Sequence, residues 1–374
     1  MQKWVRMMVW VMIGVLLFGG KVRAAEELVG ELSFEKIEEN MEEIFGDEEK
    51  GSFREMVLKL MQGEIPFDLG EIGRWLWEKC FGELGGQKKA AVQILMLTVV
   101  AAIFSNYTNV FERSQTAEVS FYLVYLILMM LLMKTFGEME EMAQDAVSQV
   151  VAFLKALLPV YLMALAIANG SFTAIGFSQL TIVMITVLQW LLKTVVLPGI
   201  HVYVVLSILN QIDQQDRFSK FTKLIRMVLA WILKTVTAAV IGVQTVQCLV
   251  MPAVDQLKTS LFHKAAGALP GVGNVFNSVT EVVLGSAVLV KNAVGAAGLL
   301  VLTLICLIPL IKIAVCVILY RFLAAVTQPV SDRRLTMCVE SVGDGAELLM
   351  KVLTATGLMF FVSLALVTSF VRGG

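Results

Sequence analysis

The chain has 374 residues, a formal net charge of −1 and 57% hydrophobic residues. That much apolar surface exceeds what one soluble core of this length hides, so lipid must act as solvent for the remainder, and a polytopic all-α membrane protein is predicted. A charge balance so near zero leaves no electrostatic footprint for a nucleic-acid partner.

Residues 1–25 read MQKWVRMMVWVMIGVLLFGGKVRAA. Lys3 and Arg6 form a positive start, residues 7–20 an apolar core, and Val22-Arg23-Ala24 a small-x-small cleavage pattern. This is a signal peptide, with an uncleaved anchor as the alternative because Lys21 and Arg23 flank the cleavage site. In both cases the segment that follows is expected outside the cytoplasm.

That segment, 26–88, is acidic: seventeen Asp and Glu face six Lys and Arg between residues 26 and 83. Phe34, Ile37, Met41, Ile44 and Phe45 fall on one stripe of a helix with a carboxylate-rich back. SFREMVLKLMQG repeats the pattern up to Gly63, and Trp75 and Trp77 suit a water–lipid boundary. The segment is predicted as a small solvated helical cap or as a docking surface for an extracytoplasmic partner. Its glutamates are too numerous and too solvated to act as a general acid and base.

From residue 89 to 374 apolar runs alternate with short polar breaks. Spans are predicted at 90–108, 119–136, 146–168, 173–193, 195–211, 227–251, 297–320 and 350–371, about eight crossings in all. The pair around Pro198 is open to a second reading as one kinked helix. With residue 26 outside, loop 137–145 (GEMEEMAQD) is outside and purely acidic. The cytoplasmic loops are then 109–118, 212–226, with Arg217, Lys220, Lys223 and Arg226, and 321–349, with Arg321, Asp332, Arg333 and Arg334. This obeys the positive-inside rule. Phe218, Phe221, Leu224, Ile225 and Val228 oppose Lys220, Lys223 and Arg226, which predicts an amphipathic helix in the inner interface that runs on into a span.

Lys155, Lys193, Lys234, Lys291 and Lys312 interrupt apolar sequence, and each must snorkel, pair or face water. Lys155, Lys193 and Lys312 lie near Pro159, Pro198 and Pro309, where a freed carbonyl needs a donor. That reading and a pore-lining role stand side by side.

GALPGVGNVFNS at 267–278 lacks the GxxxxGK[ST] of a phosphate loop and the third glycine of GxGxxG. It is therefore a bend. Residues 267–296 are predicted as a re-entrant hairpin turning at Pro270 and Gly271, or else as an amphipathic helix on the outer surface. Its small residues permit close helix approach. Pro270, Gly271, Gly273, Glu281, Lys291 and Asn292, with Pro309 and Lys312 beyond, are the candidates for a pore or an inter-subunit seam.

Cys80, Cys248, Cys306, Cys316 and Cys338 are scattered without a CxxC pair, and His201 and His263 have no ligand-spaced neighbours. Neither a metal, a cofactor nor a catalytic role is assigned. HExxH, GxSxG and a paired intramembrane Asp are all missing, which argues against an enzyme.

ALPGVGNVFNSVTEVVLGSAVLVKNAVGAAGLL at 268–300 and CLIPLIKIAVCVILYRFLAAVTQPVSDRR at 306–334 carry a resemblance. Together with DRFSKFTKLIR and VGDGAELLMKVL, they resemble the stage III sporulation protein AE family of endospore-forming bacteria. The resemblance implies a multi-pass protein of the mother-cell membrane around the forespore. It implies a subunit of a secretion-like channel, or feeding tube, that supports forespore development after engulfment. Membrane lipid, a co-encoded ATPase and ring-forming subunits, and a forespore channel protein are the implied partners. An independent secondary transporter is the alternative, since Pro-interrupted spans with lysines suit that class.

Overall fold

The computed structural model describes residues 25–26, 28–30, 32–46, 52–64, 70, 73–74, 77–78, 85–110, 115–169, 173–212, 217–266, 273–329 and 331–370. Every element among them is helical. In chain order they are α1 (Glu35–Phe45), α2 (Phe53–Met61), α3 (Gly85–Val110), α4 (Gln115–Asn169) and α5 (Thr173–Leu191). A π-turn (Leu192–Val196) then leads to α6 (Leu197–Ile212), α7 (Ser219–Ala266), α8 (Gly273–Thr327) and α9 (Arg333–Phe370). The predicted signal peptide lies outside the described residues.

Among the described residues five stretches are long and apolar enough to cross a membrane: Tyr122–Ala166, Gln179–Gln211, Ser219–Gln247, Gly285–Thr327 and Arg333–Ala365. The sequence predicted about eight: two pairs of predicted spans are joined into single helices, and the predicted span 90–108, on α3, is not among the five. The acidic stretch 137–145 was expected as a loop. It is helical, because Met139, Ala143, Ala146 and Val147 are buried on one face while Glu138, Glu141 and Asp145 point outward. The runs 173–193 and 195–211 join through the π-turn. Pro198 has no N–H to give, and the wider turn compensates locally: the N–H of Leu197 donates to the Leu192 carbonyl five residues back. Loop 321–349 shrinks to a short connection at 328–332 between α8 and α9.

Stretch 273–296 is likewise the first half of α8, continuous with 297–320, while the turn expected at Pro270 and Gly271 lies outside the described residues. Pro159 and Pro309 sit inside α4 and α8 without ending them. Each of these helices has 55 residues and is therefore about 80 Å long, more than twice the ~30 Å of membrane hydrocarbon.

α8, α9 and α4 form the packed centre, with α6 and α7 along α9 and α3 along α4. Small residues set the closest approaches. A Cβ added to Gly298 would collide with Leu157 of α4 and stand 3.3 Å from Leu364 of α9. Burial separates the helices: 61% of the best apolar window in α4 is inside the protein, against 17% in α7, so α7 runs along the outside.

The two small helices use their apolar stripe against the bundle. Ile37, Phe45, Phe53, Met56 and Val57 are buried where α1 meets α4 and α2 meets α8. Gly46 and Gly63 end them at φ 82° and 80°, a conformation that a side chain disfavours. Phe34 and Phe53 tie them together with rings 5.6 Å apart, and the Glu38 carboxylate accepts from the Ser52 hydroxyl and from the Arg54 N–H at 3.3 Å.

Gly298→Val should overpack the α4–α8–α9 contact and lower stability by about 1–3 kcal/mol. Gly242→Ala on α7, where an added Cβ meets nothing within 4 Å, should not lower the melting temperature in detergent.

Candidate functional site

The stretch SVGDGAELLMK lies on α9 and places Asp344 between two glycines. A Cβ on Gly345 would run into Val204 of α6 and Phe136 of α4, and one on Gly343 would meet Tyr320 of α8 at 3.4 Å. The bare backbone therefore lets α9 press against three neighbours at one level. The result is a chain of alternating charge. Arg226 Nη1 of α7 donates to Asp344 Oδ2 at 3.1 Å. Arg321 Nη2 of α8 lies 3.4 Å from Asp344 Oδ1 and also donates to Glu347 Oε2. Lys351 Nζ donates to Glu347 Oε1 at 2.7 Å, one turn along α9.

A second ionisable pair stands beside it. His201 Nδ1 of α6 is 2.5 Å from Glu140 Oε2 of α4. Phe136 links the two groups, since it fills the hollow at Gly345 and its ring centroid is 6.0 Å from that of His201. Uncharged bonds extend the same zone. The Tyr320 hydroxyl donates to Thr135 Oγ1 at 2.6 Å, Ser207 to Ser341 at 2.9 Å, and Tyr125 to the Ile208 carbonyl at 2.7 Å. Seven side chains from α4, α6, α7, α8 and α9 thus join in one polar layer: Glu140, His201, Arg226, Arg321, Asp344, Glu347 and Lys351. Asp344 and Glu347 each accept from two cationic side chains. Chemically the layer is a clamp: it fixes helix positions and resists their sliding. Among the described residues no group of three His, Cys, Asp or Glu could hold a metal ion.

The expected site residues separate into two regions. Arg226 joins the charge layer, while Arg217, Lys220 and Lys223 stand exposed near the start of α7 beside exposed Phe218 and Phe221. Asp332 caps α9, its Oδ1 accepting from the Arg334 N–H at 2.9 Å; Arg333 is exposed and Arg334 half-buried. Gly273 opens α8 and Glu281 lies in its first turns, while Pro270 and Gly271 lie outside the described residues. Lys291 is 1% exposed, Asn292 is exposed, Pro309 is buried and Lys312 is half-buried. Asp344, Glu347, His201 and Glu140 were not expected. Asp344, Glu347 and Lys351 recur at i, i+3 and i+7, a signal that reading 321–349 as a loop concealed.

The model of the family described as stage III sporulation protein AE matches residues 51–370. The chain belongs to the stage III sporulation protein AE family. The stage III sporulation protein AE of Bacillus subtilis (strain 168) is 26% identical over 352 residues, which cover 92% of this chain and 87% of that protein. No solved structure matches. The charge layer lies wholly within the region that the family model matches.

Asp344→Arg should break both arginine contacts and cost about 1–2 kcal/mol of stability, read as a lower melting temperature. Adding Arg226→Asp should recover at least half of that loss, because the swapped pair restores one bridge. Equal loss in the single and double variants would show that the layer is not a bridge.

Proposed function

We propose that this chain is a membrane subunit of a secretion-like channel between mother cell and forespore that supports forespore development after engulfment. The carrying observation is a sporulation family with five helices of membrane-crossing length and composition. The charge layer supports a structural subunit over an enzyme, because its carboxylates and cations are engaged with one another. The same reading places the chain in the mother-cell membrane, in contact with lipid, a co-encoded ATPase, ring-forming subunits and a forespore channel protein.

The side assignment follows from counting crossings. We take α3 to insert as well: it is uncharged from Ala90 to Val110 and exposes Val92, Met96 and Ile103. An exported acidic segment and a cytoplasmic basic start of α7 then lie three crossings apart, at α3, α4 and the joined α5–α6 rod. Joining 119–168 removes one predicted crossing and joining 173–211 removes another, so the two changes cancel. The basic residues 217–226 and 321–334 keep the cytoplasmic side that the positive-inside rule asks for. Alkaline phosphatase fused after residue 84 should be active and after residue 216 inactive. Activity at both positions would take α3 out of the hydrocarbon.

The role itself is tested by depleting the protein in its native spore former and following forespore transcription after engulfment, with the intact chain supplied back as control. Late transcription should fail and the forespore collapse. Normal forespore development would remove the channel role and favour an independent permease.

A further inference from the structure

α7 is a helix with its polarity turned inward. Val243, Val246 and Leu249 point out, at 44%, 59% and 60% exposure, whereas Gln244 is 2% exposed. Its partner in the seam is the α5–α6 rod. Gly199 meets Leu229 at one end of the contact, and the Thr181 hydroxyl donates to Gln247 Oε1 at 3.4 Å at the other. Thr181 to Gly199 is eighteen residues, and Leu229 to Gln247 is also eighteen. The two rods therefore run antiparallel in register for about 27 Å. Between the ends the seam is apolar, closed by buried Leu188, Leu192, Val196 and Val240.

Gln244 breaks that seam. Both its amide nitrogen and its amide oxygen are buried without a hydrogen-bond partner among the described residues, and so is the amide nitrogen of Gln247 one turn on. A primary amide offers two donors and two acceptor sites. Each buried group left unmade costs about 1–3 kcal/mol, and hydrocarbon supplies no partner. Leucine would fill either position at none of that cost. Along α7 no charged residue falls between Lys234 and Asp255. A partner for these amides has to offer both a donor and an acceptor.

We propose that the α5–α7 seam holds a hydrated polar site formed by Gln244, Gln247 and Thr181, which water enters from the membrane face nearest Gln247. Water gives each amide its missing donor and acceptor in the same small volume. The apolar residues beyond Gln244 stop the file, so the site is a crevice that ends inside the bundle rather than an open pore. It depends on the chain being membrane-embedded and not on the channel role.

Cysteine labelling of the full chain in vesicles tests the site, with the five native cysteines replaced by alanine. A charged methanethiosulfonate reacts with thiolate, which forms only where water reaches. Gln244→Cys and Gln247→Cys should label at least about tenfold faster than Val243→Cys and Val246→Cys on the outer face of the same turns. Equal rates at the four positions would overturn the proposal. If the cysteine variants fail to assemble, Gln244→Leu decides by sign. In a dry seam the leucine removes two unpaired polar atoms and raises the melting temperature; in a hydrated one it leaves the temperature unchanged or lowers it. Neither readout involves the forespore, so failure here is distinct from failure of the channel reading.

Discussion

A backbone amide in hydrocarbon has no water to turn to, and this constraint shapes the molecule. The cheapest solution is an unbroken helix, in which each N–H is satisfied by a carbonyl of its own segment. Pro159 and Pro309 each remove one such bond, yet α4 and α8 continue through them. At Pro198 the chain widens into a π-turn instead of opening a loop. Ending a helix would leave several groups unpaired, whereas bending or widening it leaves about one. Long rods are the consequence, and side-by-side packing of long rods leaves their polar side chains little choice of partner.

That packing explains the charge layer. A lone carboxylate or guanidinium on such a rod is expensive, and five helices solve the problem together by bringing their charges to one level. Two glycines make the level reachable. With a side chain at Gly345, α9 would be held off α4 and α6, and Asp344 would no longer sit between Arg226 and Arg321. The small residues and the charges are thus one device: the first sets the distance and the second uses it. Gly298 sets a comparable approach further along, between α8 and the leucines of α4 and α9.

Much of this was legible before the structure, for reasons that differ along the chain. The stripes of α1 and α2 were visible because Ile37, Phe45, Phe53 and Val57 repeat at helical spacing, and these residues are buried. Apolar composition announced the membrane class, and the strings around Lys291 and Gln328 pointed to the family. Span boundaries were misjudged wherever a polar patch was taken for a break. GEMEEMAQD has the composition of a loop, but Met139 and Ala143 keep the inward stripe of α4 intact through it. Hydropathy averages erase that stripe; periodicity would have kept it. The charge layer was hidden for another reason. Arg226 and Asp344 are 118 residues apart, and His201 and Glu140 are 61 apart. Such pairs arise from helix order in space, which no local pattern carries.

The two polar regions obey opposite rules: the charge layer is half open, with the Asp344 side chain 23% and that of Arg321 51% exposed, whereas Gln244 is buried. In the charge layer Asp344 and Glu347 each take bonds from two cations, so the groups satisfy one another and lock the helices. In the α5–α7 seam Gln244 meets no hydrogen-bond partner among the described residues, although a hydrophobic residue would pack there without penalty. A satisfied network is explained by the stability of the fold that contains it. A buried amide without a partner among the described residues calls for a reason other than stability. The seam also lies along α7, the least enclosed of the membrane-length helices among the described residues. The charge layer gathers where α9 meets its neighbours, α7 among them, whereas the seam lies on the side of α7 that meets α5.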